Sequence, residues 1–126
     1  MGKKNNKDLA HYYTRGKFTP CYHDVMNSSA YRSLSFKARC LLLEMQKIEF
    51  PNRNGSIGLS EIAAAKLLGC APNTASVAFD ELLDRGFIER CFDGDYSRGI
   101  AAEYRITYLP YYGREPTDEW KKYKKN

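Results

Sequence analysis

Residues 59–88 constrain the fold of this chain most strongly, because they have the pattern of two short helices joined by a tight turn and followed by a strand. Ser60 is suited to cap the first helix, since its hydroxyl can accept a hydrogen bond from a backbone N–H two or three residues later. Gly69 lies where this helix should end, because a residue without Cβ readily adopts the left-handed conformation of a C-terminal cap. Pro72 fits the first turn of the second helix, where its missing N–H would have no intrahelical partner. Gly86 is predicted to end the second helix, and a strand follows it.

Helical spacing assigns a buried and an exposed face to each of these helices. On the first helix, an apolar face is predicted from Ile62, Ala65 and Leu68. On the second helix, the predicted buried stripe consists of four small or apolar residues, Ala75, Ala78, Phe79 and Leu82. The residues predicted to face outward on the second helix are Asn73, Ser76, Val77 and Asp80.

The flanking sequence adds a third helix and a hairpin. Ser35 is a candidate N-cap for a helix over about residues 36–49, which Pro51 ends, and residues 56–59 have the character of a short strand. Residues 87–92 and 101–109 are predicted strands, and residues 93–100 between them form a Gly-flanked tip. In the second strand, the apolar positions Ala102, Tyr104, Ile106 and Tyr108 alternate with Glu103, Arg105 and Thr107. The predicted fold is α+β, mainly α, with a three-helix core and a C-terminal β-hairpin.

Length and charge predict one small domain with basic ends. In a chain of 126 residues we expect a flexible basic arm over residues 1–17, a folded domain over residues 18–112 and a basic C-terminal tail over residues 113–126. The net charge of +5 is concentrated at the ends: residues 1–20 carry five bases and one acid, residues 113–126 carry five bases and three acids, and the body is nearly neutral. Attraction to an anionic partner would therefore depend on local arrangement and on the termini.

Several functional classes find no support in the sequence. No apolar run approaches the roughly 20 residues of a membrane span, and the polar N-terminus is no secretory signal, so we expect a cytoplasmic protein. There is no Gly-rich phosphate loop, G-x-S-x-G or H-E-x-x-H motif, which predicts that the chain is not an enzyme and needs no cofactor. The tyrosine pairs at 12–13 and 111–112 are interpreted as packing residues rather than as nucleophiles.

The four cysteines are interpreted as reduced structural thiols. No C-x-x-C pair occurs among the four, which are Cys21, Cys40, Cys70 and Cys91. This spacing argues against a zinc site or a disulfide framework. Free cysteines are commonly buried as small hydrophobes, and we expect that here. A metal site built from Cys21, His23 and His11 is the weaker alternative, because no second cluster of ligands accompanies them.

The predicted helix at residues 36–49 is apolar on two faces. Its core face is predicted from Ala38, Leu41, Leu42, Met45 and Ile48. A second apolar face is formed by Phe36, Cys40 and Leu43, and it needs a covering of its own. Two alternatives remain open: Tyr12, Tyr13, Phe18 or the aromatic C-terminal segment covers it, or it is a homodimer interface.

Five segments carry a resemblance to a known family: residues 30–35, 54–60, 68–75, 85–88 and 102–107. Together they resemble the winged helix-turn-helix proteins of bacterial plasmids, phages and integrated mobile elements. The resemblance covers about three quarters of the chain and implies binding of double-stranded DNA in transcription regulation or in DNA replication of the element. A DNA-binding protein of this kind is expected to be nucleoid-associated. It also implies that the second helix of residues 59–88 enters the major groove and that the hairpin is the wing.

The resemblance assigns site residues by position. The expected base-reading residues are Pro72, Asn73, Ser76 and Val77, with Asn73 suited to adenine edges. The expected contacts to the DNA backbone are Thr74, Lys66, Arg85, Arg90, Arg98 and Arg105. Three more cations, Arg32, Lys37 and Arg39, would contribute only if the long helix lies near the duplex. Arg98 at the tip of the wing could instead be merely solvent-exposed, and Asp93 and Asp95 count against deep entry of that tip into a groove.

A protein-interaction role is the alternative on the same fold. Winged helices also serve as protein-binding modules, and such a module would antagonise or recruit another protein. The near-neutral body, the ten tyrosines and the acidic residues Asp80, Glu81 and Asp84 fit a docking surface of that kind.

Overall fold

The computed structural model describes residue 10 and residues 14–124. Within that part the chain is α+β and mainly α, as predicted, with a small three-stranded antiparallel sheet. The helices are α1 (His23–Met26), α2 (Ser29–Arg32), α3 (Phe36–Glu49), α4 (Glu61–Leu68) and α5 (Pro72–Asp84), and the strands are β1 (Ile57–Gly58), β2 (Ile88–Phe92) and β3 (Glu103–Ile106). Short 3-10 turns cover Tyr96–Arg98 and Glu119–Lys122.

The predicted caps set the helix boundaries. The Ser35 hydroxyl accepts from the Ala38 N–H at 3.2 Å, and the Ser60 hydroxyl accepts from the Ala63 N–H at 3.1 Å. Each bond satisfies a donor that the first helical turn would otherwise leave unpaired. Gly69 ends α4 with a left-handed φ of 67°. Sequence reasoning therefore located α3, α4 and α5 to within a residue or two.

The core lies where α3, α4 and α5 pack together and meet the sheet. On α3 the buried residues Ala38, Leu41, Leu42 and Met45 confirm the predicted core face, with Ile48 packed at its edge. On α5 the buried residues Ala75, Ala78, Phe79 and Leu82 confirm the predicted stripe. Small residues on this stripe let the helix axes approach closely, while Phe79 and Leu82 supply most of the apolar area.

The predicted apolar face of α4 is wrong in part. Ile62 is 57% exposed, whereas Ala64 and Ala65 are buried and Leu68 is half-buried. Ala64 and Ala65 have side chains small enough for close contact between α4 and α5. The buried face is therefore rotated relative to the prediction, and it leaves Ile62 at the surface.

The sheet has the strand order β1-β3-β2. In β3, Tyr104 lies opposite Ile57 of β1 and Arg90 of β2, and Ile106 lies opposite Ile88. A register shift between Arg90 and Phe92 leaves one extra residue, Cys91, as a bulge in β2. Tyr104 and Ile106 are buried, as their alternation predicts.

The C-terminal segment packs on the folded body. Trp120 is buried and stacks on Phe87, with centroids 6.3 Å apart and an interplanar angle of 9°. The Asp118 N–H donates to the carbonyl of Thr107 at 2.9 Å, and the Thr107 side chain is buried. Residues 117–120, which were predicted to be part of the tail, therefore pack on the folded body, while Lys121, Lys122 and Lys124 are exposed. Most of the predicted N-terminal arm (residues 1–9 and 11–13) lies outside the described residues, as do residues 125–126.

The cysteines are free thiols, but three of them are not buried. Cys21, Cys40 and Cys91 are exposed, and Cys70 is half-buried. The expectation of buried structural cysteines is wrong for the exposed three, because Cys91 occupies the β-bulge and Cys40 lies on the outer face of α3. Over the described part of the chain, none of the helices has the length and apolar character needed to span a bilayer.

Candidate nucleic-acid interface

The turn between α4 and α5 presents the start of α5 to solvent. Gly69 reverses the chain, and the Cys70 N–H donates back to the Ala65 carbonyl at 3.0 Å. Pro72 is the first residue of α5, and its N-cap residue Ala71 has no side-chain oxygen to bond the free donors of the first turn. Such a helix end, with its positive dipole, favours an anion such as a phosphate group.

The outer face of α5 carries the residues predicted to read bases. Pro72, Asn73 and Thr74 are exposed in the first turn, and Ser76 is half-buried one turn later. Val77 is 52% exposed, which leaves its two methyl groups available to a thymine methyl or to a protein. The predicted division of α5 into a buried stripe and an accessible face is confirmed.

Two lysines lie beside this helix start. Lys66 is exposed on α4. The ammonium of Lys37, in the first turn of α3, lies 3.5 Å from the Leu68 carbonyl at the end of α4. Lys37 is thus next to the α4–α5 turn. Sequence reasoning gave Lys37 only a conditional role, because its position depends on how α3 packs against α4.

The hairpin tip carries Arg98. Its side chain is 77% exposed and lies 3.5 Å from the Asp95 carboxylate. Asp95 also accepts from the Ser97 N–H at 3.1 Å, and Asp95 and Ile100 pair across the tip. The tip is therefore an ordered turn, and the weak exposed ion pair leaves the Arg98 guanidinium available to another anion.

Arg90 is fixed on the hairpin close to the helices. Its guanidinium donates to the Tyr104 hydroxyl at 3.3 Å and lies 5.6 Å from the centre of that ring. The hydrogen bond to Tyr104 is the main cause that raises the pKa of Arg90, and Asp93 and Glu61 add smaller effects of the same sign. Arg90 therefore remains charged and is oriented by β3.

Arg105 was predicted to contact the DNA backbone, and that prediction is wrong. Its side chain is only 6% exposed and forms ion pairs with Glu89 at 3.1 Å and Glu119 at 3.4 Å. It also donates to Thr117 at 2.8 Å and lies over the Tyr111 ring at 5.3 Å. Burial acts to lower the pKa of Arg105, but the hydrogen bond and charge of Glu89 outweigh it and raise the pKa. Arg105 holds the C-terminal segment against the sheet.

Arg85 lies away from the exposed start of α5. It follows the last residue of a 13-residue helix, so it is roughly 20 Å along the axis from Pro72. Its Nε donates to the Ser33 hydroxyl at 3.1 Å, and its guanidinium contacts the Asp84 carboxylate and the Tyr123 ring. Arg85 is therefore not part of the same surface as Asn73 and Lys66.

The predicted second face of α3 is exposed. Phe36 is 80% and Leu43 is 41% exposed, and Cys40 between them is exposed as well. Leu43 lines a small cavity together with Tyr22, Met26 and Tyr108, and Phe18 is itself 57% exposed. One contact is made by Arg39, whose guanidinium lies 5.8 Å from the Phe36 ring centre. The proposed covering by Tyr12 and Tyr13 lies outside the described residues.

Asn54 is a structural residue that sequence reasoning missed, and it lies near the C-terminal end of α3 rather than at the α4–α5 turn. It is buried, its amide donates to the carbonyls of Ile106, Leu109 and Pro110, and its oxygen accepts from the Ile106 N–H at 2.6 Å. Asn-Gly in a polar stretch predicts only a turn, and nothing local in the sequence marks this asparagine as buried. It joins the loop before β1 to the end of β3.

Candidate metal ligands do not cluster: within residue 10 and residues 14–124, no three His, Cys, Asp or Glu side chains are grouped so as to hold an ion. Comparison of the chain with protein-family models, with curated proteins and with solved structures found no match.

Proposed function

We propose that this chain is a winged helix-turn-helix protein that binds double-stranded DNA through the start and outer face of α5. The observation that carries the proposal is the exposed first turn of α5, with Asn73 and Thr74 accessible and Lys37 and Lys66 beside it. Asn73 can bond an adenine edge in the major groove, and the two lysines can neutralise flanking phosphates. In this proposal α4 and α5 form the helix-turn-helix, and β2, β3 and the tip between them form the wing.

The hairpin supports the same proposal. Arg98 is exposed at the tip, and Arg90 is charged and held by Tyr104. Arg85 and Arg105 are engaged in the fold, Arg32 lies beside Arg85, and Arg39 donates to the Arg32 carbonyl at 3.0 Å. Four of the candidate cations are therefore retained as backbone contacts: Lys37, Lys66, Arg90 and Arg98. Release of counterions by four contacts gives a slope of log affinity against log salt of about −3 to −4 per protomer.

The resemblance stated from the sequence motifs supports a role in transcription regulation or replication control of a mobile element. In such proteins a dimer often reads a palindromic site. We infer that Phe36, Cys40 and Leu43, exposed on one face of α3, are the candidate dimer surface. Sedimentation equilibrium of the wild type and of Leu43→Glu tests this, since a dimer through α3 should dissociate in the variant.

A salt-titrated mobility shift tests DNA binding. On random duplex, Lys37→Gln should weaken binding to every sequence and reduce the salt slope by about 1. The matched control is Lys47→Gln, an exposed lysine on the same helix about 15 Å further along its axis, which should change neither quantity. On selected high-affinity duplex, Asn73→Ala should remove the preference over random sequence. The absence of a shift at low salt would refute the proposal.

A protein-interaction role is the second candidate, and exposed apolar side chains favour it. Ile62 and Leu67 on α4 and Val77 on α5 are each more than half exposed. Apolar side chains on an exposed helical pair can anchor a protein partner. Val77→Lys separates the two roles: it should abolish docking of a protein on this face, whereas it should retain or strengthen non-specific binding to duplex.

A further inference from the structure

A second cationic surface lies at the opposite end of α5 from the proposed DNA contact. It is a cleft of about 890 Å³ between α2, the last residues of α5 and the segment after Trp120. Its lining includes Ser29, Arg32, Asp84, Arg85, Tyr123 and Lys124. Three segments distant in sequence therefore converge on one concavity.

The charges around this cleft are unbalanced. Three cations and one carboxylate line it: Arg32, Arg85 and Lys124 against Asp84, which pairs with Arg85 at 3.3 Å. Arg32 and Lys124 are exposed, and no carboxylate from the part of the chain that the structure describes lies within ion-pair distance of either. The cleft thus presents two uncompensated cations that face an open volume, which favours an anion.

Arg85 is held in position at the floor of the cleft. Its Nε–H donates a hydrogen bond to the Ser33 hydroxyl at 3.1 Å, and its guanidinium lies 5.4 Å from the centre of the Tyr123 ring. Ser33 is itself fixed, because its hydroxyl donates to the Ala30 carbonyl at 2.7 Å. An arginine constrained in this way loses little side-chain entropy when its free N–H groups bind an oxyanion.

We propose that this cleft binds the phosphate group of a small phosphorylated ligand. Arg32 and Lys124 supply charge from two different segments of the lining, Arg85 supplies N–H donors, and the Ser29 hydroxyl is a further donor. A phosphate dianion matches this set, because it offers several acceptor oxygens to donors that approach from different directions. The site is separate from the DNA-binding surface and would exist even if the chain did not bind DNA.

The concave shape favours a compact group over a duplex. A phosphate on a small molecule can enter the cleft between α2 and the C-terminal segment. The phosphates of a duplex are fixed along its backbone, and they would have to reach cations on both sides of the cleft. Free inorganic phosphate and a phosphate monoester share the recognised chemistry, so both are used as probes.

NMR titration of the uniformly ¹⁵N-labelled full chain tests the proposal. Inorganic phosphate and adenosine 5′-monophosphate are added in separate arms at constant ionic strength. Amide shifts should concentrate at Ser29 to Ser33 and around Arg85. Loss of one charged contact should weaken binding by about tenfold in Arg32→Gln and in Lys124→Gln. Saturation with phosphate alone identifies the free ion as sufficient, whereas saturation only with the monophosphate assigns the site to a monoester.

Two exposed cations outside the cleft provide matched control variants. Arg53→Gln and Lys47→Gln remove an exposed charge of the same type outside the cleft and should bind both probes as the wild type does. The proposal is overturned if neither probe shifts these amides, or if both cleft variants bind like the controls. It is also overturned if Arg32→Gln weakens duplex binding while neither probe binds, since the cleft would then belong to the DNA surface. Asn73→Ala should leave phosphate binding unchanged, which separates this test from that of the proposed function.

Discussion

Phe79 of α5 stacks on Tyr104 of β3, with ring centroids 5.2 Å apart and an interplanar angle of 23°. Both side chains are buried, and the Tyr104 hydroxyl accepts from Arg90 at 3.3 Å. This stack links the helix proposed to enter the major groove to the hairpin proposed to lie beside it. The relative orientation of these two elements thus depends on a core contact rather than on a surface one.

Phe79→Ala is expected to destabilise the protein by about 3–5 kcal/mol, because it removes a buried ring and leaves a cavity against Tyr104. Tyr104→Phe keeps the stack and loses only the hydrogen bond to Arg90, so its cost should be about 1 kcal/mol or less. Urea denaturation measures both. Equal losses would contradict the view that the stack, rather than the hydroxyl, holds the hairpin on α5.

Asn54→Ala is expected to destabilise the fold by about 2–4 kcal/mol, because it leaves the buried Ile106 N–H without its partner and removes the amide donor from three carbonyls. The matched control is Asn52→Ala in the same loop, where the side chain is exposed and the change should stay within about 0.5 kcal/mol. The midpoints of urea denaturation give the change in unfolding free energy for both variants. A similar effect of the two substitutions would show that the Asn54 network contributes little.

The elements that sequence reasoning predicted well are those that local rules determine. Capping by Ser35 and Ser60, the left-handed Gly69 and the apolar spacing in α3 and α5 involve residues within a few positions of each other. The accessible face of α5 follows from the same spacing. The candidate base-reading residues could therefore be identified without coordinates, although their role remains a prediction.

The errors concern contacts between distant segments. Alternation along β3 correctly predicts that Arg105 and Tyr104 lie on opposite faces of the sheet. The prediction of a DNA contact required the face of Arg105 to be exposed. Tyr111, Thr117 and Glu119 cover that face, and no local pattern indicates that a basic C-terminal segment returns to the sheet. The same limitation applies to Lys37, which reaches the α4–α5 turn only because of helix packing.

Gly86→Ala should be much more damaging than Gly69→Ala, although both glycines have a positive φ, of 81° and 67°. A Cβ at Gly86 would lie 2.8 Å from the backbone carbon of Glu119, whereas a Cβ at Gly69 would meet nothing within 4 Å. We expect Gly69→Ala to cost about 1–2 kcal/mol from conformational strain alone. Gly86→Ala should cost about 2–4 kcal/mol, because the C-terminal segment must also move. Comparable thermal and urea midpoints for the two variants would argue against close packing of this segment.

The ion pair between Glu119 and Arg105 should make stability fall in acid. Partial burial acts to raise the pKa of Glu119, but the hydrogen bond from Thr117, a backbone hydrogen bond and the charges of Arg105 and Lys122 outweigh it and lower the pKa below its ordinary value of 4.5. A carboxyl whose pKa is lowered by folding contributes its full stabilisation above the pKa of the unfolded chain. That contribution is lost as the pH falls below 4.5 and through the folded value.

Glu119→Gln should therefore be less stable than the wild type near neutral pH, and the difference should shrink as the pH is lowered from about 7 to about 3. Glu115→Gln serves as the control, because Glu115 is an exposed carboxylate of the same segment with no ion pair to the described residues. Its difference from the wild type should stay small across that range. Urea denaturation at each pH gives both curves. If the Glu119→Gln difference is independent of pH, the Glu119 carboxylate does not stabilise the packing of the C-terminal segment.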